Sequence, residues 1–132
     1  MKTLDGKAIV ITGSSRGPGA AYAKAAATQG ASVVVNGTDL AATERVVAEI
    51  RAAGGTAVAQ VADIASSDEA ERLVQRSVDE FGRIDGLVNN AGVYTACKPF
   101  HQHLQRMGYE CEADRCERGH LIGPSFRAAS CP

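Results

Sequence analysis

Glycines 13, 17 and 19, set in Val10-Ile11-Thr12-Gly13-Ser14-Ser15-Arg16-Gly17-Pro18-Gly19, are the residues of this chain most clearly placed for chemistry. The stretch follows a short apolar run and opens an alanine-rich segment, so it reads as strand, tight turn and helix. Glycines let a backbone turn sharply and leave no side chain between it and a ligand. The helix that follows begins with unpaired N–H groups and the positive end of its dipole. Together these features suit a phosphate group. The spacing is G-x-x-x-G-x-G, neither G-x-G-x-x-G nor the nucleoside-triphosphate loop G-x-x-x-x-G-K-[ST].

Two other groups carry reactive side chains. Tyr94 and Lys98 satisfy Tyr-x-x-x-Lys, which on a helix would set a phenol beside an ammonium group. Pro99 follows Lys98 directly, and the residue before a proline avoids the helical region, so the pairing reads as coincidence. Cys111, Cys116 and His120 form a second group, with His101, His103 or Cys131 available as a fourth zinc ligand. Their Cys-x4-Cys-x3-His spacing matches no strong zinc pattern, and we expect neither a metal nor a disulfide.

The elements that must position the glycine turn follow from the apolar pattern. Residues 7–12 form an apolar run of strand length, as expected of a strand buried on both faces of a parallel sheet. A helix of small side chains runs from Pro18 to about Gln29 and closes at Gly30. A second buried strand covers 31–36. After the turn at Gly37-Thr38-Asp39, with Asp39 as cap, helix 40–53 presents Leu40, Thr43, Val46, Val47 and Ile50 on one face. Gly54-Gly55 ends it, and 56–61 is a third strand. Ser66-x-x-Glu69 is a capping box. The helix behind it lines up Ala70, Leu73, Val74, Val78 and Phe81 and stops at Gly82. Residues 87–90 are a fourth strand. The order β-α-β-α-β-α-β predicts an α/β fold, a doubly wound parallel sheet with strand order 3-2-1-4. Strand 4 is then an open apolar edge, from which marginal stability or aggregation is expected.

Bulk properties narrow the function. A chain of 132 residues with 14 basic and 15 acidic side chains is of single-domain size and has no charge bias toward nucleic acid. No apolar run approaches the roughly 18 residues of a membrane span, and the amino terminus lacks a signal-peptide core. A cytoplasmic setting without membrane contact is expected. The composition changes near Thr95. All four Cys and all three His lie in residues 97–132, and Val is absent there. Two regions are therefore expected: a Rossmann-like unit over 1–96 and an irregular tail over 97–132, broken by Gly and Pro at 99, 108, 119, 123 and 124.

Thr12-Gly13-Ser14-Ser15-Arg16-Gly17-Pro18-Gly19 resembles the T-G-x-x-x-G-x-G turn of the short-chain dehydrogenase/reductase family. Asn89-Asn90-Ala91-Gly92 matches that family's N-N-A-G motif, and Asp63-Ile64 stands where the family places its adenine-contacting Asp. The resemblance covers residues 1 to about 96 and is nearest to the 3-oxoacyl-carrier-protein reductases. It implies hydride transfer between a nicotinamide dinucleotide and a carbonyl or alcohol. Gly13, Ser14, Ser15, Arg16, Gly17 and Gly19 would wrap the pyrophosphate and adenosine ribose. Asp63 and the Ile64 backbone would hold the adenine. Asn90, Ala91 and Gly92 would line the cleft, and Asn89 would pin the central strands.

An NAD-selective site carries an acid at the end of the second strand. That place is Asn36-Gly37-Thr38 here, with Thr38 near the ribose. Arg16 is available for a 2′-phosphate, so NADP is the expected cofactor, with NAD as the alternative. Pro18 replaces an aliphatic residue of the family and removes one N–H from the phosphate cradle, so weakened binding is expected. The family's Ser and its helical Tyr-x-x-x-Lys, which lie well beyond N-N-A-G, have no counterpart, and the usual helix-pair interface of its oligomers is also missing. A catalytically incomplete reductase is the leading reading. The alternatives are a non-catalytic dinucleotide-binding module and a zinc-binding tail. GC-rich DNA read out of frame yields Arg, Pro, Ser, Cys and His, so a frameshift accounts best for the composition beyond about residue 96.

Overall fold

The computed structural model describes residues 2–91 together with Gln102 and Arg106. Gly92, Tyr94, Lys98 and every Cys and His lie outside the described residues. Over residues 2–91, four strands alternate with three helices: β1 (Ala8–Ile11), α1 (Gly17–Thr28), β2 (Ser32–Gly37), α2 (Leu40–Ala52), β3 (Thr56–Val61), α3 (Ser67–Phe81) and β4 (Gly86–Val88). All strand pairs are parallel, in the order β3-β2-β1-β4. This is the doubly wound, Rossmann-like arrangement expected from the sequence.

The unbroken apolar runs of β1 and β2 are explained by two cores, one on each face of the sheet. Val10, Val34 and Val58 point to one side and pack with Leu73, Val74, Ile84 and Leu87 beneath α3. Ile9, Ile11, Val33, Val35 and Ala57 point to the other and pack against Ala20, Ala23 and Ala27 of α1 and Val46, Val47 and Ile50 of α2. Successive side chains of a strand alternate faces, so both parities must be apolar when both faces are covered. Removing Val34, which is fully buried, would sacrifice about 1.5–3 kcal/mol of transfer free energy. The alanines of α1 let it lie close to the sheet, and the Lys24–Glu49 ion pair links it to α2.

Boundaries shift by a residue or two from the sequence expectation, for visible reasons. Ala31 donates its N–H to Ala26 O at 3.1 Å, finishing α1, so β2 starts at Ser32. Gly30 takes φ 94°, the left-handed value a glycine reaches without strain. Leu40 was expected on the buried face of α2 but is 55% exposed. It occupies the first helical residue, before the buried face begins at Thr43. β4 ends at Val88 instead of residue 90, because Asn90 N turns back to Val88 O at 3.1 Å. Asp39 and Ser66 cap α2 and α3, accepting from Ala41 N and Glu69 N respectively. No helix among the described residues is long and apolar enough to cross a membrane.

Candidate functional site

The chain winds β1, β2 and β3 outward on one side of the sheet and then crosses to place β4 on the other side of β1. The loops after β1 and β4 therefore diverge from neighbouring strand ends, which makes a crevice at the C-terminal edge of the sheet. Open α/β sheets bind ligands in such crevices.

The turn after β1 lines that crevice and is held from three directions. Gly13 has φ 61° and Gly17 φ 56°, both in the region that favours glycine. Gly13 N donates to Asn36 Oδ1 at 3.0 Å on the β2 side. On the β4 side the Gly13 carbonyl accepts from Asn90 Nδ2 at 3.1 Å. Below, Thr12 Oγ1 donates to Val88 O at 3.3 Å and accepts from Ala91 N at 3.2 Å. A Cβ at Gly13 would stand 3.0 Å from Ala91 Cβ, and one at Gly19 would stand 2.5 Å from Asn90 Nδ2 and strike the Gly13 carbonyl. These two glycines allow the turn, α1 and the β4 loop to meet. Gly17 differs: a Cβ there would meet nothing within 4 Å. The outer face of the turn is open.

That open face is the N-terminus of α1, and its chemistry differs from that of the other helix starts. α2 and α3 have side-chain caps, and α3 carries Asp68 and Glu69 in its first turn. α1 has no side-chain cap and no acid in its first turn, and its N-cap residue is the exposed cation Arg16. Its N–H groups and dipole are left uncompensated by the protein, which suits a ligand anion.

A family model described as short chain dehydrogenase matches residues 7–111. The chain belongs to that family. It is 52% identical over 95 residues to an uncharacterized oxidoreductase of Methylorubrum extorquens, an alignment covering 71% of this chain and 38% of the relative. It is 47% identical over 94 residues to a 3-oxoacyl-[acyl-carrier-protein] reductase of Synechocystis, covering 70% of this chain and 38% of the relative. A metagenomic short-chain oxidoreductase solved in complex with NADP is 42% identical and superposes with a TM-score of 0.64, over 68% of this chain and 41% of that one. The chain thus spans well under half the length of these relatives. The family match runs to residue 111, beyond the point near 96 where the motif resemblance stops.

Within this member of the short-chain dehydrogenases, the anticipated site residues occupy distinct positions. Gly13, Ser15, Arg16, Gly17 and Gly19 form the turn and helix start. Ser14 is fully buried: its hydroxyl donates to Ile11 O at 2.7 Å and accepts from Asn36 N at 2.9 Å, while its N–H donates to Asn36 O at 2.7 Å. It braces the turn from below. Thr38 is exposed beyond the end of β2. Asp63 is exposed after β3 and accepts from Ala65 N at 3.0 Å, while the Ile64 side chain enters the core beneath α3. Asn90 and Ala91 stand at the mouth of the crevice. Gly92 lies outside the described residues. Residues not anticipated as part of the site are Asn36 and Thr12, both buried and both bonded to the loops that frame it. The available clue was polarity: each is a hydrogen-bonding side chain closing an apolar strand, where it must find a partner.

Proposed function

We propose that this chain binds a nicotinamide dinucleotide in the crevice, with NADP(H) favoured over NAD(H). The observation that carries the reading is the uncapped N-terminus of α1, opened by positive-φ glycines and headed by Arg16. Gly17 and Gly19 present backbone N–H groups toward the pyrophosphate. Arg16, with its planar five-donor fork, is suited to a 2′-phosphate. Selectivity against that phosphate would require a carboxylate at the end of β2, and none is there. Asn36 turns its amide inward, and at Gly37 a Cβ would approach Ser15 Cβ and Oγ at 2.5 Å and Thr43 Oγ1 at 2.7 Å. The exposed Asp63 and the Ile64 backbone flank the adenine. The NADP held by the metagenomic relative supports this assignment.

The bound cofactor would supply hydride exchange with a carbonyl or alcohol carbon, the chemistry of an oxidoreductase. The residues of this chain contribute binding and orientation to that reaction. No proton-transferring residue is assigned, because Pro99 directly follows Lys98 and we read the Tyr94–Lys98 spacing as coincidental. The dinucleotide unit is placed at 1–96, with 97–132 as a separate segment, and binding without turnover is the expected behaviour. Fluorescence titration with NADPH and NADH, followed by NADPH consumption over a panel of ketones, tests the reading. Saturable binding that is tighter for NADPH, with no consumption, is expected. Absence of binding to either dinucleotide overturns it, and ketone-dependent consumption overturns the non-catalytic part.

A further inference from the structure

Asn36 is 2% exposed, and its side chain lies between the two loops that the dinucleotide reading assigns to the pyrophosphate and to the adenine. Its Oδ1 accepts from Gly13 N at 3.0 Å, in the glycine turn. Its Nδ2 donates to Gln60 O at 3.1 Å and Ala62 O at 3.2 Å, at the end of β3 and directly before Asp63. Its backbone bonds Ser14 in both directions. An amide nitrogen has two protons and both are used here. Only one orientation of the amide serves all three partners, since the oxygen must face the N–H and the nitrogen the two carbonyls.

We infer that Asn36 is a positioning residue that ties the pyrophosphate turn to the adenine loop, so that the pyrophosphate and adenine parts of the dinucleotide site form and fail together. This rests on the dinucleotide reading above. The left-handed Gly13 gains a buried acceptor for its N–H, and the β3 carbonyls gain donors where the ladder with β2 ends. A buried polar group stripped of its partner is costly, so loosening one loop unpairs part of the amide and weakens its hold on the other. The inference also explains why Asn, and not Asp, stands here: a carboxylate would still accept from Gly13 N but would turn its second oxygen against two carbonyls.

Asn36→Ala and Asn36→Asp separate the two connections. The first breaks both. The second keeps an acceptor for Gly13 N and loses both donors to β3. Val74→Ala, at a buried residue of α3, serves as a stability control. NADPH dissociation constants are read well below each unfolding transition, together with amide hydrogen exchange of the ligand-free proteins. Both Asn36 variants are expected to bind NADPH at least tenfold more weakly than Val74→Ala and to lose exchange protection at both Gly13 and Ala62. Asn36→Ser is read in place of Asn36→Asp if the carboxylate prevents folding, with the same expectation. Wild-type-like affinity of Asn36→Asp, or affinities of the Asn36 variants within twofold of the control, overturns the inference. So does loss of protection confined to Gly13. If the unaltered protein binds no dinucleotide, the cofactor reading fails by itself, and exchange at Gly13 and Ala62 still decides whether Asn36 couples the two loops.

Discussion

Asn90 Nδ2 lies 3.1 Å from the Gly13 carbonyl and closes the turn after β1 onto the loop after β4. The same nitrogen stands 2.5 Å from where a Cβ on Gly19 would be. The first turn of α1 can therefore approach this hydrogen bond only without a side chain. Gly19→Ala is expected to destabilise the protein by about 1–3 kcal/mol through overpacking against atoms that cannot give way. It should also weaken NADPH binding at least tenfold, since the Gly13 carbonyl and Asn90 must separate. Urea denaturation and NADPH titration check both numbers. A variant with unaltered stability would mean that α1 and the β4 loop do not pack this closely.

Arg16 stands where a helix ordinarily carries an oxygen-bearing cap. Arg16→Asp would supply one, together with a negative charge at the positive end of the dipole. The ligand-free protein is expected to gain about 0.5–1 kcal/mol. Binding should move in the opposite direction, with at least tenfold loss of NADPH affinity, because the carboxylate competes for the N–H groups assigned to the cofactor's phosphates and removes the cation assigned to its 2′-phosphate. Thermal unfolding with and without NADPH measures both effects. Undiminished affinity would show that the anion site lies elsewhere.

The fold was legible in the sequence because two-sided burial leaves a simple pattern: apolar runs such as 7–12 and 31–36, small-residue or amphipathic helices between them, and caps at Asp39 and Ser66. The glycine positions were equally plain. The direction of the polar side chains among them was not. Ser14 and Ser15 are neighbours of the same kind, yet the Ser14 hydroxyl is sealed between Ile11 and Asn36, while Ser15 lies beside Gly37 near the surface. Residue type does not distinguish them: the Ser14 hydroxyl is fixed both by Ile11 O in β1 and by Asn36 N, 22 residues on, and the second partner appears only in the folded sheet. Asn36 was hidden for the same reason. At the end of a valine run it reads as the last residue of a strand, and its purpose emerges only when β1 and β3 flank it.

Gly37 ends β2, within the stretch Asn36-Gly37-Thr38 where, under the dinucleotide reading, an acid would favour NAD. Gly37→Asp is the obvious substitution for reversing cofactor preference, and the structure predicts that it fails by itself. The new Cβ would meet Ser15 Cβ and Oγ at 2.5 Å and Thr43 Oγ1 at 2.7 Å. A loss of about 1–3 kcal/mol is expected, with weaker binding of both dinucleotides and no gain for NADH. Adding Ser15→Gly removes the two closest atoms and should recover part of the stability. Equilibrium unfolding of the single and double variants, paired with NADH titration, reads the outcome. A single variant that binds NADH tightly at full stability would contradict the crowding at Gly37.

Pro18 lies in the first turn of α1, exposed beside the open face of the glycine turn. Proline is well suited to start a helix, but it brings no N–H to the set of donors that the cofactor phosphates would use. Pro18→Ile restores that donor and should affect binding and stability in opposite directions. A hydrogen bond to a charged acceptor contributes about 1.5–3 kcal/mol, so NADPH affinity is expected to rise by at least about tenfold. Stability of the ligand-free protein should fall by about 0.4–1 kcal/mol, because the unfolded chain regains freedom at a position where the native backbone already accommodates proline. Calorimetric titration and thermal unfolding on the same preparation separate the two effects. Unchanged affinity would mean that the N–H of residue 18 points away from the phosphates, and that the Gly17 and Gly19 amides with Arg16 provide the contacts on that face.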